Sequence, residues 1–79
     1  MNKSYVPNLL RDILVDKNVE LEKETFKINY LRNEISSSIN LQDCENLRTE
    51  LDACERARRL LRGQVSALRQ AIAKLEKEE

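Results

Sequence analysis

Leu47, Leu51, Cys54, Leu61, Val65, Leu68, Ile72 and Leu75 climb the second half of the chain in steps that alternate four and three, and a single charge, Arg58, fills the one remaining place. Residues at this spacing form a narrow stripe that the helix carrying it cannot cover. The stripe must bury against another helix, so the chain is built to associate. Cys44 extends it by one place toward the N-terminus. In heptad notation Cys44, Leu51, Arg58, Val65 and Ile72 are the a positions. Leu47, Cys54, Leu61, Leu68 and Leu75 are the d positions.

Composition agrees with long helices. The chain has 79 residues, at most one domain and too few for a large globular core. Charged residues make up 35% and aromatics 4%, with one Gly and one Pro, so both the anchors and the turn formers of a globular domain are scarce. A hydrophobic content of 41%, arranged with a period, argues against disorder. Fourteen basic side chains balance fourteen acidic ones, leaving no net charge to draw the chain to nucleic acid or an anionic membrane. No apolar run approaches the roughly 20 residues that span a bilayer, and the first residues lack the apolar core of a signal peptide. Histidine is absent, which removes the commonest general base and metal ligand. Cys44 and Cys54 match no zinc or redox spacing. The expectation is an intracellular, cytoplasmic protein with reduced thiols, no metal and no cofactor.

Residues 1–7 read as an N-terminal arm, with Pro7 suited to the first place of a helix, where its missing N–H costs nothing. Residues 8–36 read as the first helix. Leu10, Leu14, Leu21, Ile28, Leu31 and Ile35 mark one apolar face of it. Val19, Phe26 and Tyr30 lie well round the helix from that face, because five residues turn it by about 140°. A helix apolar on two sides touches more than one neighbour, as in a bundle.

Residues 37–40 read as a turn or polar break. Three consecutive serines, Ser36 to Ser38, compete for the backbone and weaken a helix. Asn40 suits an N-cap, with Asp43 in the first turn where the helix dipole favours an acid. Ile39 and Cys44 occupy the two places of a hydrophobic staple. The apolar stripe changes phase here as well. Ile35 to Cys44 is about 900° of rotation, which would carry the stripe to the opposite face of a straight helix. Against a turn, no Gly or Pro marks it, and the second-half register extends backward through Asn40, Asn33, Phe26 and Val19. One continuous coiled-coil helix of roughly 105 Å is therefore the alternative, with Asn33, Ser37 and Asn40 as a polar layer. The hairpin is preferred, because a continuous seam leaves Leu14, Leu21, Ile28 and Ile35 without a partner. The expected fold is all-α: two long helices in a hairpin that assembles into a coiled coil or bundle.

Residues 41–79 read as the second helix. Its seam flanks give a parallel homodimer no support. Pairing each g residue with the e residue five further along sets Glu50 against Glu55 and creates no attractive pair. Ala57 and Ala71 beside the seam leave room for another helix. These features favour a bundle, an antiparallel arrangement or a different partner chain. Arg58 reads as an arginine whose stem packs in the seam while its head reaches water, with a register-setting ion pair as the sharper alternative. The cysteines read as small seam hydrophobes. The alternative is an interchain disulfide, which parallel in-register helices would permit. Acids at the C-terminal end, where a helix prefers bases, suggest a fragment of a longer scaffold or assembly protein.

Arg56, Arg58, Arg59, Arg62 and Arg69 form a stretch free of acids. It reads as a solvated or salt-bridged face, with RNA or an acidic partner as alternatives. Glu50-Leu51-Asp52, with Ile28, Leu31-Arg32 and Ile35 before it, resembles the small helical-hairpin aspartyl-phosphate phosphatases of sporulation phosphorelays. Their second helix carries a Ser-Gln-Glu-Leu-Asp signature. The resemblance spans 28–52. Arg48 stands where the family has its serine and Thr49 where it has its glutamine. It implies a hairpin that removes phosphate from a response regulator, with Asp52 as the active acid. The residues themselves point first to a non-enzymatic interaction module. It pairs with itself or with another coiled-coil protein through the seam, with Leu14, Leu21, Ile28, Leu31 and Ile35 as a second apolar face.

Overall fold

A computed structural model describes residues 5–78 as two helices, α1 (Tyr5–Ser37) and α2 (Leu41–Glu78), packed against each other as a helical hairpin. The molecule measures 61 × 14 × 13 Å. A continuous helix of this chain would be about 105 Å long, so the single-helix alternative is not the fold. Of the arm expected over 1–7, residues 1–4 lie outside the described residues, and Tyr5, Val6 and Pro7 are already helical. Pro7 does not delay the helix, since the first four N–H groups of any helix lack an intrahelical acceptor. Its ring is buried.

The turn comprises Ser38, Ile39 and Asn40. Ser36 and Ser37 stay helical by donating their hydroxyls back to the carbonyls of Arg32 and Asn33, at 3.0 and 3.1 Å. The break comes one residue later, where the Ser38 N–H reaches the Ile35 carbonyl at 3.3 Å and tightens the last turn. Asn40 caps α2. Its Oδ1 accepts the N–H groups of Gln42 at 2.9 Å and Asp43 at 3.4 Å. No described residue has positive φ, which explains how the chain turns here without glycine. The expected staple does not form. Ile39 is fully exposed, and the Cys44 thiol lies instead against the carbonyls of Ser38 and Ile35, at 3.7 and 3.9 Å.

The core is one line of residues between the helices. Ile28 is wholly buried, and Leu31, Leu61, Val65 and Ile72 are nearly so. A two-helix hairpin has no third element to cover anything else.

Candidate interaction surface

The seam that the sequence offers for association is filled by the chain's own first helix. Leu61, Val65 and Ile72 are buried, and Cys44, Leu47, Leu51, Cys54, Leu68 and Leu75 are half-buried. Facing them, Ile28 and Leu31 are buried and Leu14, Leu21 and Ile35 half-buried. The two apolar faces read from the sequence are thus the two sides of one intramolecular contact. Both cysteines are free thiols within it.

Charged side chains of α1 also enter this contact, which the sequence reading missed. The first-helix stripe skips from Leu14 to Leu21 and from Leu21 to Ile28. Lys17 and Glu24 occupy the skipped places, and both are half-buried. Glu24 pairs with Lys27 at 3.5 Å. Arg58, also half-buried, is the counterpart from α2, and among the described residues no carboxylate lies within ion-pair distance of it. Its stem fills the seam while its head reaches water. Burial, and then the neighbouring Glu24 carboxylate, push the Cys54 thiol above its ordinary pKa.

Two long edges run beside the core, each formed by both helices, and they differ. One is closed by ion pairs between the helices, Arg11 with Glu76 and Arg32 with Glu55. Asn18, Arg62, Ser66 and Arg69 line the groove between those pairs. Among the described residues the other edge has no ion pair between the helices. On α2 it is a stripe of Ala53, Ala57, Leu60, Gln64, Ala67 and Ala71, again at steps of four and three, with Leu60 65% exposed. Across the groove from Ala57, Leu60 and Gln64 lie Lys17, Glu20, Lys23 and Lys27. Leu9, Ile13 and Tyr30 continue this edge along α1, exposed. Phe26, 74% exposed, lines the same groove as Tyr30, and Val15 and Val19 stand beyond it on the back of α1. The sequence showed Val19, Phe26, Tyr30, Ala57 and Ala71 but not the shared edge. Alanine stripes give a weak hydrophobic signal, and only the hairpin register brings them beside α1.

Asp52, the acid that the phosphatase resemblance singles out, is exposed and pairs with Arg56 at 3.6 Å. The arginine stretch does not form one patch. Arg58 enters the seam, Arg62 and Arg69 line the ion-paired edge, and Arg56 is tied to Asp52. Among the described residues no group of three or more His, Cys, Asp or Glu could hold a metal ion, and no helix is long and apolar enough to cross a membrane. Comparison with known protein families, curated proteins and solved structures finds no match to this chain.

Proposed function

We propose that the chain is a structural interaction module, acting by binding and not by catalysis, inside the cell. The observation that carries this is the apolar surface left uncovered after the hairpin forms. Tyr30 and Leu60 are each more than half exposed on the edge without ion pairs between the helices, and Phe26, in the same groove as Tyr30, is more so. Exposed large apolar side chains on a chain this small favour a partner, because burying them contributes roughly 25 cal/mol per Å². A partner helix would dock beside the filled seam and extend the hairpin to a bundle.

The test is photo-crosslinking in cells of the source organism, with p-benzoylphenylalanine at Tyr30 or Leu60 and, as control, at Asp52. A discrete adduct from positions 30 and 60, absent from 52, is the expected result. Recovery of the chain without adducts from every position would overturn the assignment.

A further inference from the structure

We propose that the ion-paired edge carries a phosphate-binding site, formed by Arg62, Ser66 and Arg69 of α2 with Asn18 of α1. The site lies across the hairpin from the apolar edge and does not depend on what docks there.

The hairpin register makes the site. Arg11 pairs with Glu76 and Arg32 with Glu55. The two α1 members are three heptads apart, and so are the two α2 members, so these pairs are the outer rungs of one antiparallel ladder. Its inner rungs set Asn18 opposite Arg69 and Thr25 opposite Arg62. Each outer rung joins opposite charges. Each inner rung sets an arginine against a neutral side chain. Among the described residues neither Arg62 nor Arg69 has a carboxylate within ion-pair distance.

The groups around the two arginines are donors without acceptors. Ser66 follows Arg62 by four residues and precedes Arg69 by three, so it neighbours both on the helix surface. Thr25, Ser36, Ser37 and Thr49 each donate their hydroxyl to the carbonyl one turn back. Ser66 does not. Its oxygen accepts from Gln70 Nε2 at 3.4 Å, and its O–H has no acceptor among the described residues. The half-buried Asn18 side chain, in the same groove, also has no hydrogen-bond partner among them. Leu21 and Val65 complete the lining, which contains no acid. Glu22, beside Leu21 in the chain, is exposed and pairs with neither arginine.

Two positive charges and two further donors thus share one groove, and the ligand they fit is an oxyanion. A planar carboxylate carries one charge and two oxygens, which a single arginine satisfies by a bidentate contact. A phosphate group carries a charge of about −1.5 to −2 at neutral pH and three strong acceptor oxygens. Seated over Ser66, it neutralises both guanidinium groups and has lone pairs left for the Ser66 hydroxyl and the Asn18 amide.

The nitrogen-15-labelled chain is titrated at neutral pH with sodium phosphate, phenyl phosphate and sodium acetate, each against sodium chloride at the same ionic strength. The arginine Nε–H and asparagine side-chain resonances are followed. Saturable shifts of Arg62, Arg69 and Asn18 with phosphate or phenyl phosphate are expected, and the tighter of the two tells whether the site takes the free or the esterified group. Arg69→Gln should weaken that binding about tenfold, by removing one charge-assisted contact. Asn18→Glu with Thr25→Glu places an acid on each inner rung, so the double variant should keep its helical circular dichroism and lose phosphate. Arg56→Gln, outside the groove, should bind as the parent does. Shifts no larger than those with chloride, acetate binding as tightly as phosphate, or affinity indifferent to Arg69→Gln would each overturn the proposal. Arg69 is exposed, so its variant decides the matter if the double variant loses its fold.

Discussion

Arg32 of α1 and Glu55 of α2 meet at 3.4 Å across the hairpin, far apart in the chain and level in space. Both side chains keep a third or more of their surface in water, so the pair marks the register more than it holds it. Arg32→Ala is expected to lower the unfolding free energy by no more than about 1 kcal/mol. The difference should shrink in high salt, as measured by urea titration at two ionic strengths.

Among the described residues Ile28 is the one fully buried large side chain, so Ile28→Ala should be far more damaging, at about 2–5 kcal/mol. Leu61→Asp should go further and unfold the hairpin, because Leu61 is buried against α1 and not at a surface. Circular dichroism at 222 nm distinguishes the two cases. A folded, merely dissociated Leu61→Asp chain would show that the seam serves another chain after all.

Asn40 holds the first turn of α2 through two N–H groups. Asn40→Ala should cost about 1 kcal/mol, and Asn40→Asp should recover most of it, since Asp caps as well as Asn. Thermal melts of the three chains check this.

Gly63 has nothing within 4 Å of where a Cβ would stand, and its φ is not positive. Gly63→Ala should therefore stabilise the chain by about 1 kcal/mol, read as a raised urea midpoint without a change in slope.

The Cys54 thiol is held above its ordinary pKa in the fold, first by burial and then by Glu24. Its neutral form is therefore the one the fold favours. The corresponding stability is fully present below the pKa of the unfolded thiol and is lost as pH rises through that of the folded one. In a Cys44→Ala background, thiolate absorbance should rise at higher pH in the native chain than in urea. The stability gap between Cys44→Ala and Cys44→Ala, Cys54→Ala should move against the thiol-bearing chain over the same alkaline interval.

The seam and the turn were legible because both are local signals. A heptad ladder states its own period, and the phase change from Ile35 to Cys44 together with Asn40 states where the helix must end. The charged places of α1 within the contact were not legible. Lys17 and Glu24 look like solvent residues until the register of α2 covers them, since long side chains can keep a charged end in water while their stems are buried.

The sequence by itself determined which stripes are apolar and favoured a break over 37–40, because those depend on spacing and capping along one chain; that the chain is a hairpin and not one continuous helix was decided by the structure. Only the tertiary structure decided that the two stripes satisfy one another. It also decided that the ion pairs between the helices lie on one long edge, while alanines and large apolar side chains share the other with Lys17, Glu20, Lys23 and Lys27. Those properties belong to the register between helices, and register is set by the length of a three-residue turn and by packing across the seam.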